Sequence, residues 1–287
     1  MHRHILIAML CLLLGACGSR HLGKPDSAAP EPDFSSYQIT RDLRFTPDHW
    51  PEPLLLDVYR PDGAGPFPSV LLIHGGAWKR GDRDQVTHLA ERLVERGYLV
   101  VNTTYRLVPR YVWPSQLQDI HQALRWMRQG GLAYGVDPSR IGTFGYSAGG
   151  HLSALAGHAA NDPIWSDPLI RIKAIVAGGT PADLNLYEGG HLVPAFIGGS
   201  RQERPEAFTA ASPITYVNAG DPPVFQYHAT LDDYVPFYQA TRYRAALDAA
   251  SIPNELFVIR GHGHISAFFF DDDAVSAALV FLDRYLR

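Results

Sequence analysis

Cysteine is nearly absent. The 287-residue chain has only Cys11 and Cys17, both at its N-terminal end. Nothing downstream can form a disulfide, so the fold there rests on packing, and no Cys/His cluster of zinc-type spacing exists. A positive charge excess is also missing. Lysine and arginine number 25 against 29 aspartates and glutamates, a formal charge of −4. That balance gives no basic stripe of the kind nucleic-acid binders carry. The apolar run at residues 5–14 falls short of the ~20 residues needed to span a bilayer. No internal repeat and no second linker follow residue 36, so the remaining ~250 residues read as one domain.

What the N-terminus does contain is an export signal. His2, Arg3 and His4 form a short basic stretch, and the apolar run follows it. Leu14-Gly15-Ala16-Cys17 then resembles a bacterial lipobox, in which a small residue precedes a cysteine that is diacylated and before which the chain is cleaved. This reading makes residues 1–16 a lipoprotein-type signal peptide and Cys17 a membrane anchor held by several acyl chains, which meets the need for more than one lipid signal. An ordinary signal peptide with Cys17 as a bystander is the alternative. Gly18, rather than an aspartate, follows the cysteine, which points to the outer membrane of a Gram-negative envelope. Residues 17–36 are rich in Pro, Ser and Ala and read as a flexible tether.

From residue 37 the chain alternates strands and helices after an opening hairpin. Strands are expected at 42–45, 54–59, 69–73, 98–104, 140–146, 172–178, 224–229 and 255–259. Helices are expected at 84–96, 116–128, 148–160, 237–250 and 273–285. The run Ser69-Val70-Leu71-Leu72-Ile73 is apolar almost throughout, as in a strand covered on both faces. Repeated βα units imply an α/β fold with a mostly parallel sheet and helices on both faces, and ligands bind at the carboxyl ends of such strands. Segment 184–211, with Gly189-Gly190 and Gly198-Gly199, breaks the rhythm. It reads equally as a lid or substrate loop and as a plain surface excursion.

Gly145-Tyr146-Ser147-Ala148-Gly149 lies between an expected strand and an expected helix, the context of a nucleophile elbow. A tight strand-to-helix turn leaves no room for side chains two residues before and after the serine, and it lifts the hydroxyl off the sheet. A serine hydroxyl needs a base. Gly261-His262-Gly263-His264 follows the last strand and offers His262 and His264. The acid that orients the base is expected after the preceding strand, where Asp232 and Asp233 stand. Asp232, at the strand end four residues before Pro236, is preferred. His74-Gly75-Gly76-Ala77-Trp78 follows the apolar strand, and its glycines can aim N–H groups at a developing oxyanion. Gly75, Gly76 and Ala148 are the expected donors. His74 reads as structural, Tyr146 as a candidate substrate-pocket residue, and Trp78 as one that either shapes the acyl pocket or packs under it. His88, His121 and His158 fall in helical segments and read as surface or packing residues.

Four islands in this order resemble one family. They are His74 to Trp78; Tyr105-Arg106-Leu107 with Pro114 and Asp119; Gly145 to Gly150; and Ser212-Pro213 with Asp232 to Pro236 and Gly263-His264. The pattern resembles the α/β-hydrolase esterases of the hormone-sensitive-lipase-like and BD-FAE type, from about residue 37 to the C-terminus. The resemblance favours His264 as the base, since it follows the glycine pair and stands before a helix opening near Phe268. It implies a serine carboxylesterase acting through Ser147, His264 and Asp232 on a small-molecule or glycan-linked ester, with no metal or organic cofactor. Arg106 and Asp119 resemble framework positions. Ala77 stands where many relatives carry a third glycine. Two rival readings are an amidase or peptidase with the same triad, and an inactive lipid-anchored binding protein, which would lack a triad member or a working oxyanion turn.

Overall fold

The apolar run at 69–73 becomes the centre of strand β4 (Phe67–Ile73), and its alternation explains the layers. Successive side chains leave a strand on opposite faces. Leu71 and Ile73 therefore join one core cluster, and Val70 and Leu72 the other. All four are fully buried, so the run needs no polar alternation. The computed structural model describes residues 19–23, 36–187, 189–270 and 272–287. Cys17 and the expected signal peptide lie outside them.

The other described strands are β1 (Arg20–Leu22), β2 (Tyr37–Arg44), β3 (Leu55–Pro61), β5 (Leu99–Thr103), β6 (Val136–Tyr146), β7 (Ala174–Gly178), β8 (Val224–Ala229) and β9 (Asn254–Ile259). They form one sheet in the order β1-β9-β8-β7-β6-β4-β5-β3-β2. Strands β5, β4, β6, β7, β8 and β9 run parallel to their neighbours. Strands β2, β3 and β1 are joined antiparallel at the two sides. Helices α1 (Thr87–Glu95), α2 (Ser115–Arg128), α3 (Ala148–His158), α4 (Leu192–Ile197), α5 (Pro205–Ala210), α6 (Tyr238–Ala249), α7 (His264–Phe269) and α8 (Asp272–Leu286) connect or cover them. One face of the sheet packs Leu117, Ile120 and Leu124 of α2 and Leu152 and Leu155 of α3. The other packs Leu89 and Leu93 of α1 and Val275, Leu279 and Leu282 of α8. From β4 the chain crosses first to β5 on one side and then to β6 on the other. Their carboxyl ends therefore bound a crevice at a topological switch point.

Four expectations need correction. Residues 17–36 are not wholly a tether, because Arg20–Leu22 pairs antiparallel with β9, Arg20 opposite Val258 and Leu22 opposite Leu256. The side of β9 away from β8 offers unpaired backbone groups that a passing tripeptide can satisfy. His21 bonds to Glu255 at 2.6 Å, and Leu22 packs on Leu256 and Val258. Strand β2 begins at Tyr37 instead of 42. Its side chains are mostly exposed, so only backbone pairing to β3 defines it, with a bulge between Thr40 and Leu43. Strand β6 begins at Val136, four residues early. Segment 184–211 is no plain surface excursion: α4 and α5 bury Phe196, Ile197 and Phe208 in the core, and Trp113 N donates to the Phe196 carbonyl at 2.8 Å. Among the described residues no helix is long and apolar enough to cross a membrane.

Helices α1 and α8 are tied by a buried ion pair. Arg96 donates through Nε and Nη2 to Asp283 Oδ2 at 2.9 and 2.5 Å. Tyr98 Oη donates to Asp283 Oδ1 at 2.6 Å, and burial pushes that phenol well above its ordinary pKa. Removing one partner of such a pair strands the other charge. Asp283→Ala is therefore expected to cost about 3–5 kcal/mol, read from the urea midpoint at unchanged slope. A loss under ~1 kcal/mol would show that the pair behaves as a surface contact.

Candidate active site

Strand β6 ends at Tyr146 and helix α3 begins at Ala148, leaving one residue for the turn. Ser147 makes it at φ 57° and ψ −122°, a conformation that costs an L-residue ~1–3 kcal/mol. Its surroundings hold it there. Ser147 N donates to the Gly178 carbonyl at 2.7 Å, and His151 N donates to the Ser147 carbonyl at 2.9 Å. The flanking glycines are steric necessities. A Cβ on Gly145 would lie 2.2 Å from the Gly149 carbonyl carbon, and one on Gly149 would lie 2.0 Å from the Ile73 carbonyl oxygen. Helix α3 thus starts in near contact with the end of β4.

Three side chains meet at the carboxyl ends of β6, β8 and β9. His264 Nε2 lies 2.8 Å from Ser147 Oγ, and His264 Nδ1 lies 2.6 Å from Asp232 Oδ2. The other oxygen of Asp232 accepts from the N–H groups of Tyr234 and Val235 at 3.0 and 2.7 Å. With Nδ1–H on the carboxylate, the Nε2 lone pair faces the serine hydroxyl, the tautomer a general base needs. The side chains an inactive scaffold would lack are present and bonded to one another. The alternatives separate cleanly. Asp233 is exposed. His262 contributes its carbonyl, which accepts from Leu231 N at 3.0 Å, while its ring lies 6.4 Å from that of Phe270.

His264 stands at the first position of α7, four residues earlier than the expected helix start. Ser266 explains the shift, because its hydroxyl accepts from Gly263 N at 3.0 Å and closes the helix entrance. Tyr146 also differs from expectation. It is buried, not pocket-lining: its hydroxyl donates to the His264 carbonyl at 2.7 Å, and its ring packs 5.0 Å from the imidazole. It therefore supports the base. Trp78 is buried as well, stacked on Phe196 at 4.2 Å and donating to His151 Nδ1 at 3.3 Å. An indole enclosed this way packs beneath the crevice and ties segment 184–211 to the turn after β4.

That turn carries Gly75, Gly76 and Ala77. Gly76 sits at φ 106°, where a Cβ would lie 1.9 Å from the Arg80 carbonyl oxygen. Ala77 and Trp78 both take φ 56°. Lys79 N and Arg80 N donate to the Gly76 carbonyl at 3.1 Å and close the turn. Gly75 approaches the elbow so closely that a Cβ would lie 3.0 Å from the Tyr146 carbonyl oxygen and 3.6 Å from Ser147 Cβ. His74 is the scaffold it was read as. Burial lowers its pKa to about 4, so it is neutral, and its Nδ1–H donates to the Gly75 carbonyl at 2.8 Å. Tyr105 stacks on the His74 ring at 4.3 Å and donates to the His74 carbonyl at 3.1 Å. The N–H groups of Gly75, Gly76 and Ala148 make no hydrogen bond to another described residue.

Several supports escaped the sequence reading. His228, on β8, is buried and kept neutral by desolvation, and it donates to the Val235 carbonyl at 2.7 Å, fastening the loop that holds Asp232. His151 bonds to the Ala211 carbonyl at 2.7 Å. His158 is buried between Asp221 and Tyr243, at 2.8 and 2.5 Å. Arg106 and Asp119 form the expected framework contact, fully inside the protein, with Asp119 also accepting from Trp50 Nε1 at 2.8 Å. Among the described residues no three His, Cys, Asp or Glu side chains converge as a metal site.

A mostly parallel sheet between helical layers, with serine, histidine and carboxylate joined at its carboxyl end, defines the α/β-hydrolase class. The BD-FAE family model matches residues 56–247, and the chain belongs to that family. The match takes in the turn after β4, Ser147 and Asp232, while His264 lies beyond it. Esterase LipQ of Mycobacterium tuberculosis is 36% identical over 207 residues, covering 67% of this chain and 49% of that protein. The probable carboxylic ester hydrolase LipM of the same organism is 33% identical over 201 residues, covering 64% and 46%. The chain thus spans about half the length of these curated relatives. Among solved structures, a truncated carbohydrate esterase from gut microbiota superposes with a TM-score of 0.75 at 24% identity, covering 90% of this chain and 99% of the other. Apo Thermogutta terrifontis esterase 2 gives 0.73 at 23%, covering 88% and 96%. At these identities the likeness concerns the fold.

Two substitutions test this construction. Gly149→Ala places a methyl group on the Ile73 carbonyl, and the folded protein is expected to lose ~3 kcal/mol or more in a denaturation curve. Ala77→Gly removes ~1–2 kcal/mol of left-handed strain against ~0.5–1 kcal/mol of added chain entropy. The variant should melt at or slightly above the parent temperature, and a clear fall would contradict the assigned turn.

Proposed function

We propose that this chain is a serine carboxylesterase. The observation that carries the reading is the unbroken relay from Ser147 Oγ through His264 to Asp232, at 2.8 and 2.6 Å, beside unengaged N–H groups on the turn after β4. Ser147 Oγ attacks the ester carbonyl carbon while His264 Nε2 takes the hydroxyl proton. The carbonyl oxygen gains negative charge and is held by N–H groups of Gly75, Gly76 and Ala148, the last at the N-terminus of α3. His264 then passes its proton to the departing alcohol. Water, deprotonated by His264, attacks the acyl-enzyme and releases the acid. Asp232 keeps the imidazole in the reactive tautomer and stabilises the imidazolium, and Tyr146 and His228 hold this pair in place. Cys17, after its lipobox, anchors the enzyme to a bacterial envelope membrane. The substrate class is an extracytoplasmic ester of a short or medium acyl group, including acetyl- or feruloyl-type esters on small molecules or glycans.

Hydrolysis of p-nitrophenyl acetate, butyrate and octanoate tests this. Ser147→Ala and His264→Ala are expected to lose about 10⁴-fold or more in kcat, and Asp232→Asn about 10⁴-fold. Asp233→Asn and His262→Ala should stay within about threefold of the parent. An inert parent, or an active Ser147→Ala variant, would overturn the reading.

A further inference from the structure

Nine large hydrophobic side chains are exposed among the described residues, and six of them crowd one end of the molecule. Leu231, Tyr234 and Tyr238 lie between β8 and the start of α6, and Ile265, Phe269 and Phe270 lie on and just after α7, each 45% to 72% exposed. Both segments follow carboxyl ends of neighbouring parallel strands and carry Asp232 and His264, so the apolar residues form a rim at the crevice mouth. Apolar residues gathered at one site mark an interaction surface, whereas single ones need no explanation.

The chain's own entry point says what covers this rim. Strand β1 is antiparallel to β9, and Arg20 pairs with Val258, next to the last residue of β9. Arg20, the first residue of β1, therefore stands at the carboxyl end of the sheet, beside the loop that carries His264. Cys17 stands three residues before Arg20, a reach of at most ~11 Å. Along the β1–β9 edge a cavity of about 650 Å³ is lined by Arg20, Arg244 and Arg260, by Asp248, which lies 3.7 Å from Arg244 Nε, and by the apolar Leu22 and Val258. Cationic groups beside apolar ones suit a lipid headgroup boundary.

We propose that the apolar rim and this cationic edge form a membrane-docking face, so that the anchored enzyme holds its active-site mouth against the bilayer. The proposal rests on the lipid-anchor reading of Cys17. The substrate it favours is an amphiphilic ester of a short or medium acyl group whose apolar alcohol part lies in the membrane and whose carbonyl stands at the headgroup level. Short, water-soluble esters still reach Ser147, but without the gain from surface concentration.

The test uses the full chain, processed and purified from a bacterial membrane, with acylation of Cys17 checked by mass. It is reconstituted in phosphatidylethanolamine–phosphatidylglycerol vesicles. An environment-sensitive fluorophore is placed through Phe269→Cys, or through Leu132→Cys in the turn before β6 at the opposite end of the sheet. Docking predicts a blue shift at 269 and quenching by lipid-borne quenchers about threefold or more above that at 132. Equal quenching, or more at 132, overturns it. In parallel, a Phe269→Ser, Phe270→Ser double variant should hydrolyse p-nitrophenyl acetate as the parent does. It should lose about tenfold on an octanoyl ester of a lipid alcohol embedded in vesicles. Equal loss on both esters would make the rim part of the catalytic crevice and overturn docking. An unacylated Cys17 removes the anchor and the proposal with it, while loss of all ester hydrolysis in the parent would instead strike the esterase reading.

Discussion

The close approach of helix α3 to the end of β4 is the constraint from which the site follows. With hydrogen in place of a side chain at Gly149, the helix starts against the Ile73 carbonyl, and Gly145 clears the carbonyl of Gly149. One residue must then turn the chain from strand to helix, and Ser147 is held at positive φ by bonds to Gly178 and His151. The same closeness sets Gly75 against the Tyr146 carbonyl. The nucleophile and the turn after β4 are thus positioned by one contact between backbones. Strain at the serine is balanced by a core that cannot relax around it.

His264 and Asp232 are positioned differently, through loops instead of through the sheet. Asp232 is fixed by two N–H donors of its own loop, and that loop is fastened by His228. His264 is fixed by the start of α7 and by the Tyr146 hydroxyl under its carbonyl. Tyr146 therefore links both halves, since it is the residue before the nucleophile and also the support of the base. Segment 184–211 joins through Phe196 stacked on Trp78, so the inserted helices share a core with the turn after β4.

Much of this was legible in the chain. The run Ser69 to Ile73 announced a strand buried on both faces, and the pentapeptide around Ser147 announced its turn, because hydrophobic pattern and glycine spacing report local sterics directly. Asp232 was separable from Asp233 by its place at a strand end. What stayed hidden depended on partners distant in sequence. Arg20–Leu22 is too short for any periodicity and is a strand only because β9 lies beside it. The exposed face of β2 carries no apolar alternation. Tyr146 reads as a pocket residue and Trp78 stays open between pocket and packing, since an aromatic near Ser147 looks the same whether it faces ligand or core. Only the bond to His264 and the stacking on Phe196 distinguish the two. Between His262 and His264 the residues alone left a choice, and the distance to Ser147 separates them.

The central claim is that Ser147 is a nucleophile activated by His264. A fluorophosphonate, which reacts covalently with such a serine, followed by peptide mapping, tests it most directly. The account predicts a single adduct on the peptide holding Ser147 and its loss in the His264→Ala protein. An unlabelled folded protein, or an adduct on another residue that survives that substitution, would contradict it.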